Sequence, residues 1–170
     1  YSSFEAWRGL PGSADGAVPN IENRVITGFL SQVATMKLAL EATIDRAIEE
    51  RQHLILEGVH VVPTELNLEA RAGEAVIIPI KLATMKKDLL YKQLTRRVRD
   101  NNRQQASHYL DSLDDIWELQ SWLLNEADKT GISIIENWQI EDTVRAALEL
   151  VIGELMKQFA PQPDDTVWGG

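Results

Sequence analysis

Ten residues, 54–63, read LILEGVHVVP and constrain the fold more than any other stretch. Apolar side chains fill consecutive positions 54–56, which suits a strand buried on both faces, as in a parallel sheet between helix layers. A carboxylate (Glu57), a glycine (Gly58), a histidine (His60) and a proline-marked turn follow at once. A strand that closes this way carries polar side chains to the rim of a sheet. Long amphipathic segments lie on either side, so the stretch predicts an α/β fold with helices covering a mainly parallel sheet.

The neighbouring segments fit that frame. From Asn20, a suitable N-cap, Val25, Phe29, Val33, Met36, Leu40, Ile44 and Ile48 recur every three or four positions, which predicts a long helix ending near 52–53. Gly28 inside it costs about 1 kcal/mol relative to alanine and marks a place for a kink. After a loop at 62–73, EAVIIPIKL (74–82) predicts a second strand, against which Pro79 is an objection because it removes a ladder donor. Thr84 can cap a helix over 85–102. Ser107 starts another, with Tyr109, Leu113, Ile116, Gln120, Leu123 and Ala127 on one face and Gly131 at its C′ position. ISIIE (132–136) predicts a third strand closed by Asn137. The last helix carries Ile140, Val144, Ala147, Leu148, Val151, Leu155, Met156 and Phe159 as one broad apolar stripe, and Pro161 and Pro163 end it. The whole, 1–170, reads as a single domain with an irregular segment at 1–20 and a flexible tail at 160–170.

Charge and composition exclude several classes of function. A net charge of −9 argues against general binding to nucleic acid or to an anionic membrane. No apolar run reaches the length of a membrane span, and no basic segment leads into an apolar one as in a secretory signal. With no cysteine there are no disulfides and no thiolate metal sites, which fits a cytoplasmic setting. No metal site is predicted. The chain begins with Tyr1 and not with methionine, which fits an excised or processed piece.

Ligands of open α/β sheets collect beyond the carboxyl ends of the strands. Glu57 with His60, and Glu136 with Asn137, occupy such ends. A carboxylate there can hold a Mg²⁺ water or accept a proton from a hydroxyl, and a histidine can donate to a phosphate or carry the proton. The bland reading of such an acid is a capping or ion-pairing residue. Between Lys86 and Arg103 stand seven Lys or Arg against two Asp, with Lys92, Arg96, Arg99 and Arg103 spaced along one face. This face is either simply solvated or a clamp for a transferring phosphoryl group. At the start of the chain Tyr1, Phe4, Trp7 and Arg8 form an aromatic–basic cluster. It either packs onto the core or forms a substrate-facing loop in which Arg8 pairs with an acid group. The chain contains no G-x-x-x-x-G-K-[ST], hence no phosphate-cradling loop of its own.

LILEGVHVVP, the basic helix, and HYLDSLDDIWELQSWLLNEADKTGISIIEN together resemble the later two-thirds of the 2-phosphoglycerate kinase family. YSSFEAWRGLP resembles the segment that follows the nucleotide-binding half of those P-loop kinases. The resemblance runs from Tyr1 to about Leu155 and is most specific at LEGVH and HYLDSLDDIW. It implies a three-layer P-loop fold whose first strand and Walker A loop are absent here. It also implies ATP and Mg²⁺ as cofactors of the complete protein and a phosphorylated or carboxylated small molecule as acceptor. On that basis Glu57 and His60 are catalytic, Arg8 binds the acceptor, and Arg96, Arg97, Arg99 and Arg103 form a phosphate-binding lid. Glu136 and Asn137 then lie near the nucleotide.

Two functions follow. One is the C-terminal portion of an ATP-dependent small-molecule kinase, inactive alone. The other is a non-catalytic binding or scaffold module derived from such a kinase. A sheet without its central strand exposes apolar edges, so pairing with the missing N-terminal part, or homodimerisation, is expected.

Overall fold

The computed structural model describes residues 21–100 and 112–159, of which 21–23 and 97–100 by backbone alone. The irregular segment expected at 1–20, the start of a helix at Ser107 and the tail at 160–170 lie outside the described residues.

Helix α1, Ile21–Glu49, runs unbroken through Gly28. Its stripe turns inward at Phe29, Val33 and Leu40, all buried, while Met36 stays exposed. The helix ends in a double-bonded C-cap: Arg51 N–H donates to Ile48 O (3.0 Å) and Gln52 N–H to Ala47 O (2.8 Å). Arg51 takes the left-handed C′ position at φ 51°, which glycine usually fills.

The strand expected at 54–57 does not form. These residues carry no ladder, and Ile55 is 95% exposed. An apolar run becomes a strand only where another strand offers it an edge, and the two strands of the described residues pair with each other instead. The chain then tightens: Val61 N–H donates to Gly58 O (3.1 Å), and single 3-10 turns follow at Pro63–Glu65 and Glu69–Arg71. An arginine fork fastens this loop to α1. Arg71 bonds both carboxylate oxygens of Asp45 (Nη2 to Oδ2 2.8 Å) and donates through Nη1 to Asn67 O (2.6 Å), while Asn67 N–H donates to Glu41 Oε1 (3.1 Å). The hydrogen bond from Arg71 holds the Asp45 carboxyl below the usual carboxylate range.

Strand β1, Ile80–Ala83, starts directly after Pro79, so of the strand expected over 74–82 only the residues beyond the proline pair, and the ladder runs on by one residue to Ala83. It pairs in parallel with β2, Ser133–Glu136, in the register Ile80↔Ser133 to Ala83↔Glu136. Paired residues share a face, so Leu82 and Ile135 lie on one side of the sheet and Lys81, Ala83 and Ile134 on the other. Between the strands come α2, Lys87–Asp100, and α3, Leu113–Lys129; α4, Ile140–Phe159, follows β2. The sheet is thus parallel and flanked by helices, as expected, but two-stranded among the described residues.

The core sits where α3 meets α1. Phe29, Val33, Val62, Leu119 and Leu123 form it, with Trp122 set edge-on to Phe29 (centroids 6.2 Å, 69°). Helix α3 also contacts both strands. It closes at Gly131 (φ 70°), where Gly131 N–H donates to Asp128 O and Ile132 N–H to Ala127 O (2.9 Å), the C′ glycine the sequence predicts. Helix α4 packs on β2, yet Thr143 is its only buried residue, and most of its apolar stripe faces outward.

Candidate functional site at the carboxyl ends of the sheet

Both strands point their carboxyl ends the same way, and a chain of amide hydrogen bonds closes over that rim. Thr84, buried directly after β1, is held at both backbone atoms by one side chain: its N–H donates to Gln120 Oε1 (3.0 Å), and Gln120 Nε2 donates to its carbonyl (2.9 Å). Its hydroxyl donates to Gln93 Oε1 (3.0 Å) instead of capping α2, whose first turn closes on the Lys86 carbonyl. Gln93 Nε2 continues to Asn137 O (2.9 Å), and Asn137 N–H returns to Ala83 O (2.7 Å). The Thr143 hydroxyl, in the first turn of α4, donates to Glu136 O (3.3 Å). Three helices are thereby tied to the two strand ends.

Glu136 and Asn137 therefore stand together where the sequence places them. Asn137 is half-buried and engaged through its backbone; the Glu136 side chain is exposed. The sequence reading passes over Thr84 as more than a cap, and over Gln93 and Thr143. It does contain one signal for the network: Gln120 falls on the apolar face of α3, where an amide needs a specific partner.

His60 and Glu57 take different places. Glu57 lies exposed on the irregular segment that leads into the turn. The half-buried His60 turns inward, stacks on Phe29 (centroids 5.5 Å, 18°), and its Nε2 lies 2.8 Å from Gln32 Oε1. Burial holds its imidazole below the ordinary histidine value. With Nε2–H donated to Gln32, the ring fastens the 58–62 turn to α1. It packs at the margin of the core, against Phe29.

Of the basic residues, Lys92 and Arg96 are exposed on α2. Arg97 and Arg99 belong to the same helix by backbone alone, and Arg8 and Arg103 lie outside the described residues. Lys87 pairs with Asp114, joining the first turns of α2 and α3. Lys81, on β1, lines a narrow crevice together with Val62, Pro63, Leu123, Glu126 and Ala127, and burial lowers its pKa. Among the described residues no three His, Asp or Glu cluster at metal-ligand spacing, and no helix is long and apolar enough to cross a membrane.

Comparison with known proteins gives the kinship. The chain is 33% identical to the 2-phosphoglycerate kinase of Pyrococcus horikoshii, over 92% of the chain and 49% of that protein. It is 31% identical to the Pyrococcus furiosus enzyme of the same name, with the same coverage, and 29% identical to that of Methanopyrus kandleri, over 92% of the chain and 46% of the relative. The chain thus spans about half the length of the curated relatives it matches, less than the two-thirds the sequence suggested. No family model matches it, and neither does any solved structure. Over about half of their length, the chain is similar to curated proteins named 2-phosphoglycerate kinase.

Proposed function

We propose that this chain is the C-terminal portion of an ATP-dependent small-molecule kinase that transfers a phosphoryl group to a hydroxyl of a phosphorylated or carboxylated metabolite. The observation that carries this reading is the identity to 2-phosphoglycerate kinases across 92% of the chain but only half of theirs. In the complete protein Glu57 accepts the proton of the acceptor hydroxyl. His60, fixed by Gln32 and Phe29, steadies the turn that presents it. Arg96, Arg97, Arg99 and Arg103 draw negative phosphoryl oxygens to one face of α2, where a bidentate guanidinium neutralises developing charge. Arg8 binds the acceptor's acid group. Glu136 and Asn137, at the joined carboxyl ends of β1 and β2, border the nucleotide.

ATP and Mg²⁺ are largely the business of the other half. The described residues supply no cluster of three potential metal ligands, and the sequence has no phosphate loop. What this portion contributes is a rigid rim and cations of the right sign in an acidic protein. The protein is proposed to act in the cytoplasm on a soluble metabolite, without a nucleic-acid or membrane partner.

The test compares this chain with the product of the complete reading frame. Calorimetric titration with ATP–Mg²⁺ should show binding by the longer polypeptide and none by the chain alone. In the longer polypeptide Glu57→Gln should lower kcat by about 10²- to 10⁴-fold, the usual worth of a general base. Turnover that survives Glu57→Gln together with alanine at Arg96 and Arg99 removes these residues from the mechanism.

A further inference from the structure

Helix α2 turns a short inward row toward the body of the protein. Leu90 and Leu94 are both buried and Gln93, between them, is half-buried, while Tyr91, Lys92 and Arg96 are exposed. Gln93 is the polar member of that row, and its one amide reaches both strand ends. Its Oε1 accepts from the hydroxyl of Thr84 (3.0 Å), directly after β1, and its Nε2 donates to Asn137 O (2.9 Å), directly after β2. Beside it stands the Lys87–Asp114 pair, a weak tether because both side chains lie in water. A threonine just before a helix ordinarily caps it, yet the Thr84 hydroxyl is engaged by a side chain nine residues on. The fold thereby gains a fixed height and a fixed rotation of α2 relative to the rim.

Rotation decides which cation stands nearest the sheet. Position 97 comes seven residues after Leu90, four after Gln93 and three after Leu94, so the helical period carries the inward row on to Arg97. It follows Gln93 by about 6 Å along the helix axis. We propose that Gln93 is a positioning residue for phosphoryl-bearing ligands, and that the cation it sets over the joined strand ends is Arg97. This rests on the reading that the cations of α2 meet phosphoryl oxygens at that rim. A guanidinium grips a phosphate through two parallel N–H···O bonds of defined geometry. A helix free to roll would keep the charge near the ligand and lose the paired contact. Gln93 touches no ligand itself and acts through the helix.

The product of the complete reading frame tests this, with ATP–Mg²⁺ as the probe. Gln93→Met keeps the length of the side chain and removes both hydrogen bonds. It should weaken ATP–Mg²⁺ in calorimetry at least about tenfold, the worth of one hydrogen bond to a charged group, and raise KM with a smaller change in kcat. Thr84→Val should reproduce part of that loss, and Thr84→Ser, which keeps the hydroxyl, should hold the parent affinity. In an Arg97→Ala background Gln93→Met should cost no further affinity. A merely structural Gln93 would lower the melting temperature and make the two losses additive. Additive losses, or an unchanged affinity in Gln93→Met, overturn the proposal. Should Gln93→Met fail to fold, Thr84→Val against Thr84→Ser carries the same comparison with Arg97→Ala. Coupled binding without phosphoryl transfer defeats the kinase reading alone, and transfer with additive losses defeats only the role of Gln93. A longer polypeptide that binds no ATP–Mg²⁺ ends both.

Discussion

Helices α1 and α4 are both amphipathic by sequence, and the protein treats them oppositely. Phe29 and Val33 on α1 are almost wholly buried against α3, and the turn at 58–62 closes over them through His60 and Val62. Leu148 and Ile152, equally apolar and equally well spaced on α4, remain more than half exposed. A helical stripe therefore states a demand for cover and says nothing about who meets it. In α1 the partner lies within this chain. In α4, among the described residues, only the flank resting on β2 is met, around Thr143.

The most direct way to break that comparison is truncation at equivalent positions. Phe29→Ala removes a ring from the packed core and should cost about 3–5 kcal/mol, seen as a lower urea midpoint of the chain. Leu148→Ala, at a solvent-facing site, should stay within about 0.5 kcal/mol. Equal losses would mean that α4 is buried in solution and that the contrast is false.

A second substitution sharpens the difference between satisfying a surface and satisfying a polar core. Gln120→Ala leaves the buried Thr84 N–H and carbonyl without their partner and should cost about 1–3 kcal/mol. Gln120→Glu keeps an acceptor for the N–H but loses the donor for the carbonyl, so it should also destabilise, and more at neutral pH than in acid, where a protonated carboxyl can donate again. Loss of amide protection at Thr84 and Asn137 locates the damage at the rim. Variants indistinguishable from the parent by urea midpoint and exchange would show that this network does not hold the strand ends.

What could be read from the sequence follows the range of the interactions. The C′ glycine at 131, the parallel α/β order and the third strand, expected at 132–136 and found at 133–136, rest on local rules and appear much as expected. Pro79 stands as an objection to the strand expected over 74–82, and the ladder begins only after it, at Ile80. Arg51 in a left-handed C′ position has no signal in its composition. The run 54–57 fails as a strand because pairing depends on a distant edge, and here that edge is not offered. Nor could spacing foretell that His60 would turn toward Phe29 while Glu57, three residues away, faces solvent. Gln120 was visible as an amide on an apolar face, but its partner at Thr84 lies 36 residues back.

The inward turn of His60 makes the smallest and most specific prediction. Burial lowers its folded pKa below the value of about 6.5 that it holds in an unfolded chain. Between those two values the unfolded state binds more protons, so stability rises with pH through that window and is lost as pH falls from 6.5 toward the folded pKa. Above 6.5 the ring is neutral in both states and contributes no slope. Replacing it by His60→Phe keeps an aromatic ring on Phe29 but removes both the titration and the bond to Gln32. The variant should melt slightly lower than the parent at pH 7.5, and the gap should narrow or reverse toward pH 5. A parent protein with no loss of stability between pH 6.5 and 5, relative to the variant, would place the imidazole in water. It would then stand in the same environment as Glu57 and be free to act with it, and the division between a buried anchor and an exposed acid would fall.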